Sequence, residues 1–251
     1  MDGEQRIERA RARAALYYYL SALFVYPEDA LWQALQETTT DDVQHIHSLL
    51  GWSAEEAACL QKRLKEMTRE QFEAEHVAIF GFTAAGELRP YEAGYGTSHV
   101  FQETHCLADV AGFYRAFGLE PCEAQRERPD HIAVELEFMH VLALKEAYGL
   151  AHGLAEEAEV CGQAETDFLR DHLGRWAPGF LKHLGDRTGG AIFELIAHAT
   201  AACLEEHCRD IGIRLESEEV ESAPSTPEPE GTNFSCPAPC VAGLVSEEGA
   251  K

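Results

Sequence analysis

Apolar side chains return every three or four residues along most of this chain, the spacing of α-helices that bury one face. Ile7, Ala10, Ala14, Tyr17 and Tyr18 form one such stripe, with Arg9 and Arg13 expected on the other side. From Leu16 to Val25 the pattern is apolar nearly all round, and Tyr26-Pro27 should end it, since proline disfavours helical geometry in the residue before it. The same spacing predicts helices over 28–37, 41–50, 53–67, 69–80, 97–117, 130–150, 153–174, 176–186 and 190–212, most with Asp, Thr or Ser capping candidates near their starts. Residues 81–96, with four glycines and a proline, predict the longest loop of the body. Alternating strand patterns bounded by hairpin turns are missing, and no fixed-period repeat is evident.

The fold class is therefore all-α: a single helical-bundle domain over residues 1–215. From Glu216 onward the composition turns to Glu, Pro and Ser with few large apolar groups. Such a segment buries too little surface to offset its ordering entropy, so 216–251 reads as a disordered acidic tail. Charge narrows the partners. Twenty Lys and Arg stand against 44 Asp and Glu, a formal net charge of −24 over 251 residues. That surface repels phosphate backbones and anionic headgroups, which argues against nucleic acid and the membrane surface and favours cationic partners. Without a secretory leader pattern or an apolar run of membrane-spanning length, a cytoplasmic location is expected. The eight cysteines read mostly as reduced, small apolar residues.

Two segments carry candidate chemistry. In ERPDHIAVELEFMHVLALKEAYG, residues 127–149, Pro129 and Asp130 suit a helix start, and His131, Glu135, Phe138 and Leu142 share one face, so His131 and Glu135 are positioned to pair. In RPYEAGY, residues 89–95, Tyr91 and Tyr95 offer apolar faces with polar tips and Glu92 adds negative charge, a combination suited to a peptide bearing arginine and apolar residues. The rival is a metal site. Glu73/His76 and Glu137/His140 are both Glu-x-x-His pairs, and two such pairs with two further glutamates, Glu8 and Glu103 being candidates, would make a di-iron centre. Cys203, His207 and Cys208 cluster on the last helix, and Cys236 and Cys240 could supply two zinc ligands without an obvious second pair. GDRTGG at 185–190 lacks the lysine of a phosphate loop, and no nucleophile elbow is present.

The blocks ERPDHIAVELEFM and RPYEAGY, supported by LYYYLSALFVYP and FLRDHLGRWAPGFLKHL, resemble the TorD/DmsD/NarJ-type redox-enzyme maturation proteins over about residues 5–212. The resemblance implies an all-helical, non-catalytic, cytoplasmic chaperone with no cofactor of its own. Such a protein binds the twin-arginine leader and apo form of a molybdopterin oxidoreductase catalytic subunit, holding it back from export until its cofactor is inserted. It implies that Pro90, Tyr91, Asp130 and His131 contact the leader; Glu92, Tyr95, Glu135 and Phe138 join them from loop chemistry and face geometry, and Pro129 as the helix-start residue. Which oxidoreductase is the client is left open, and monomer and dimer both fit.

Overall fold

The computed structural model describes residues 2–81, 88–95, 100–121, 127–215 and 244–246. Helix α1 (Gly3–Ala22) starts where the Asp2 carboxylate accepts from the Gln5 N–H and the Gln5 side chain returns the bond. Threonines 39 and 68 open α3 (Thr40–Leu50) and α5 (Arg69–Phe80) in the same way, and α2 (Asp29–Glu37) and α4 (Glu55–Lys65) complete the first half. The second half holds α6 (Val100–Ala116), α7 (Ile132–Ala151), α8 (Ala155–Phe168), α9 (Gly174–Arg187) and α10 (Ile192–Asp210). None of the described helices is long and apolar enough to cross a membrane.

The expected all-α architecture is observed, with α7 at its centre. Apolar side chains leave α7 in several directions: Leu136, Phe138, Met139 and Leu142 are all fully buried. It makes its largest contact with α1, antiparallel, as pairs Arg13–Glu146, Tyr18–His140 and Ser21–Ala133 show. Its other side meets α8, and α9 and α10 close the bundle.

Four details differ from the sequence reading. Arg13 does not face solvent but binds Glu146 and Glu165, and Arg9, partly exposed, is tied down by the Leu50 carbonyl and Asp210. Tyr18, placed on the buried stripe, is 48% exposed. Helix α1 ends at Ala22, before the proline, and Leu23, Phe24 and Val25 are buried in the turn that follows. Helices α8 and α9 are one continuous run through a π-turn at Leu169–Leu173 rather than two separate helices.

The wide π-turn has a local cause in Gly174, where a Cβ would collide with the Leu169 carbonyl oxygen. Gly174→Ala is expected to lower stability by about 1–3 kcal/mol, the cost of forcing a group into a packed site. Urea unfolding followed by circular dichroism measures it.

The expectation of no strand also needs correction. Leu119–Pro121 (β1) pairs antiparallel with Leu244–Ser246 (β2), Glu120 opposite Val245. Three residues a side are too few to show a two-residue period in sequence. The remainder of the 216–251 tail, with Cys236 and Cys240, lies outside the described residues.

Candidate functional site

The Pro90–Tyr95 segment is fastened to the start of α7 by backbone and side chain together. The Glu92 N–H donates to the Asp130 carbonyl at 2.9 Å, and the Ile132 N–H donates to the Pro90 carbonyl at 2.9 Å, so Tyr91 and His131 face each other in an isolated antiparallel bridge. A 3-10 turn over Glu92–Gly94 then carries the chain to Tyr95. The Asp130 carboxylate accepts from the Ala93 N–H at 3.1 Å and from Arg128 through two bonds of 3.0 and 2.9 Å. Its side chain is fully buried, which makes it a clamp rather than an acidic spot open to a ligand.

His131, and not Asp130, caps the helix: its Nδ1 accepts from the Ala133 N–H at 3.1 Å. That bond replaces the expected pairing of His131 with Glu135. The Tyr91 ring meets the His131 ring edge-on at 5.2 Å between centroids and carries the Arg128 guanidinium over its face, 4.8 Å from its centre. Pro129 supplies its carbonyl to the Tyr114 hydroxyl at 2.7 Å.

Glu135 belongs to a second, deeper network. Its Oε2 accepts from the Trp176 indole N–H at 2.9 Å, while Glu92 receives both carboxylate contacts of His172 Nδ1 at 3.1 Å. Burial, reinforced by the neighbouring Glu92 charge, pushes the Glu135 carboxyl well above its usual range and so favours its protonated form. Tyr95 packs on Trp176 and Phe180 at 5.3 and 6.1 Å. Phe138 departs from its expected role: it is fully buried among Phe113, Tyr114, Phe117 and Phe168, so its place is the core and not the site.

The structure thus gathers eight of the nine expected residues around one loop–helix junction, and sorts them. Pro90, Asp130, His131 and Glu135 are buried and hold the junction together; Tyr91, Glu92, Pro129 and Tyr95 are partly exposed. Sequence reasoning missed Arg128, His172 and Trp176. Arg128 could have been found, since it sits two residues before Asp130, but His172 and Trp176 lie about forty residues away on the π-turn and α9, where only the fold brings them in.

The di-iron alternative is not supported by the side-chain geometry. Glu73 takes the Tyr26 hydroxyl and Arg69, His76 reaches the Phe24 carbonyl at 3.5 Å, and His140 Nδ1 meets the Ala14 carbonyl at 2.8 Å. Among the described residues no three His, Cys, Asp or Glu side chains converge as a metal would need. Cys59, Cys106, Cys161, Cys203 and Cys208 are unbridged, and His207 hydrogen-bonds Tyr17 at 2.6 Å.

Burial pushes His131 and His207 down to about 3 and His76 to about 4, from a usual value near 6.5. The folded state therefore holds three neutral imidazoles that the unfolded chain protonates first, so their contribution is complete above about pH 6.5 and is lost as pH falls toward 3 to 4. Glu135 works the other way, its folded form keeping a proton that the unfolded chain releases above its usual 4.5. The urea midpoint is expected to drop between pH 7 and pH 5, and Glu135→Gln should make that drop steeper. A variant whose midpoint is flat with pH would contradict the burial of these histidines.

Comparison with known proteins adds the family. A family model described as the nitrate reductase delta subunit matches residues 33–182, which include the 88–95 loop and the start of α7. The chlorate reductase assembly chaperone protein of Ideonella dechloratans is 30% identical over 186 residues, 71% of this chain and 79% of the relative. The selenate reductase assembly chaperone protein of Thauera selenatis is 30% identical over 178 residues, again covering 71% and 79%. The chaperone protein TorD of Vibrio cholerae is 23% identical over 216 residues, 79% of this chain and 92% of the relative.

Proposed function

This chain belongs to the nitrate reductase delta subunit family of redox-enzyme maturation proteins, and on that premise we propose that it is a non-catalytic assembly chaperone for a molybdopterin oxidoreductase. It captures the twin-arginine leader and apo form of the catalytic subunit in the cytoplasm, delays export and keeps the subunit open for cofactor insertion. The body, 1–215, carries this activity, with the 216–251 tail as an adjunct.

The observation that supports the reading is the clamped loop–helix junction. Fixing Pro90 and Glu92 to the start of α7 through backbone bonds presents Tyr91 and Tyr95 as preorganised, partly exposed aromatics, so little ordering entropy is lost when a peptide lands on them. The leader's apolar stretch lies against these rings. Its arginines meet a protein of net charge −24, with Glu103 and Asp109 exposed beside the junction, where charge speeds capture and selects against acidic peptides. No bond is made or broken.

An immobilised twin-arginine leader peptide tests the proposal. The full chain should be retained at low salt and released as salt rises, and a leader with both arginines replaced by glutamine should retain at least tenfold less. Tyr91→Ser should lower retention about tenfold while leaving the circular dichroism spectrum unchanged. Equal retention of both leaders by the wild-type chain would reject the reading.

A further inference from the structure

A groove between α1 and the α2–α3 turn opens into an apolar cavity of about 270 Å³, away from the junction described above. Leu16, Leu20, Leu31, Leu35, Val43 and His47 line its depth, all of them buried. Its lips are exposed: Ala15 and Tyr18 on α1, Ala34 on α2 and Asp42 on α3. Tyr18 also packs against His140 at 5.3 Å, and residues 140, 144 and 148 share one face of α7. The apolar surface therefore runs on from Tyr18 to Leu144 and Tyr148, 50% and 60% exposed. An open apolar cavity continued by exposed large side chains on two adjacent helices is unusual for a surface with nothing to bind.

Charge selects the occupant. Residues 28–50 carry Glu28, Asp29, Glu37, Asp41 and Asp42 and no lysine or arginine. Thr39 holds the Asp42 carboxyl below its usual range; Lys65 lies near Asp42 while bonding the Gln36 carbonyl, and Arg69 pairs with Asp29 at 3.2 Å, so five carboxylates against two cations leave the turn net negative. A second copy of this chain would bring the same acidic turn against itself, and a fatty acid or anionic lipid would place its charge beside Asp42. A helix with an apolar face and flanking lysines or arginines has neither penalty and fits the mode in which an amphipathic helix lays large side chains into a groove.

We propose that this groove is a second docking surface, taking a basic amphipathic helical segment of the client, one large apolar side chain entering the cavity and the rest lying along Tyr18, Leu144 and Tyr148. The identity of the partner as a client rests on the assembly-chaperone reading; the preference for a basic amphipathic helix does not.

The test uses the full chain and two fluorescein-labelled helical peptides of identical apolar pattern, one with lysine and one with glutamate at the polar positions, followed by anisotropy at physiological salt. The lysine peptide should bind at least tenfold more tightly. Ala34→Trp, which fills the mouth without changing charge, should weaken it at least tenfold, and Ala15→Arg on the opposite lip should do the same and stands in for Ala34→Trp if that variant melts early. Equal binding of the lysine peptide to wild type and to both folded variants overturns the proposal, because attraction is then diffuse. So does a shift of Ala34→Trp from dimer to monomer with peptide binding unchanged, which would give the groove to a second copy. Failure of wild type to retain a twin-arginine leader would instead sink the assembly-chaperone reading and leave the groove's preference standing.

Discussion

Replacing Arg13 by methionine is expected to destabilise the protein by about 3–5 kcal/mol, the cost of removing one partner from a buried ion cluster. The Arg13 guanidinium lies between Glu146 of α7 and Glu165 of α8, the latter at 3.0 Å, with side-chain exposures of 14%, 14% and 3%. Burial opposes its charge, but the two carboxylates outweigh that and hold its pKa raised; burial pushes the Glu165 carboxyl up against the same attraction. Without the arginine, two buried acids are left facing each other where three helices meet. Arg13→Met/Glu165→Leu should recover much of the loss, because an apolar pair of similar volume leaves fewer buried charges uncompensated. Urea unfolding of the single and double variants at pH 7 measures both, and a loss below about 1 kcal/mol for Arg13→Met would show that the cluster is solvated.

Asp130→Ala should be the most damaging change at the junction, at about 2–3 kcal/mol, because it strands the partly buried Ala93 N–H and removes the buried carboxylate that holds Arg128. Arg128 is 38% exposed and keeps Glu103 at 2.8 Å, which holds the cost below that of the Arg13 cluster. Leader retention should fall at least tenfold as the loop loosens. Asp130→Asn separates the two ways this could happen. Its amide oxygen can still accept from Ala93, so hydrogen exchange at residues 92–95 should stay slow and retention should recover in part. If exchange stays slow and retention is lost entirely, the carboxylate contacts the leader directly and the positioning role assigned to Asp130 fails.

The helices are legible from their apolar period, and several carry their own punctuation as well. Thr39 and Thr68 announce α3 and α5 as capping boxes, and Ile132, Val134, Leu136, Phe138 and Met139, which point in several directions, mark a helix buried on most sides. The two motifs of the candidate site were legible as residue types, and the structure joins them through a bridge between Tyr91 and His131 that links positions forty residues apart. Burial was not legible in the same way. A periodic stripe gives a helix's apolar direction and says nothing of a neighbour that covers its polar side, so the stripe alone puts Arg13 towards solvent and Tyr18 in the core.

Local sequence thus determined the helical class, most helix boundaries and the chemistry gathered at the loop–helix junction, since hydrogen bonds within a helix and at its cap reach only a few residues. Only the tertiary structure decided which carboxylates face water. Asp130 became a clamp, Glu135 a buried partner of Trp176 and Phe138 a core residue because α6, α9 and the π-turn cover them. The dielectric around a side chain is set by what packs on it from distant parts of the chain, and no local pattern encodes that.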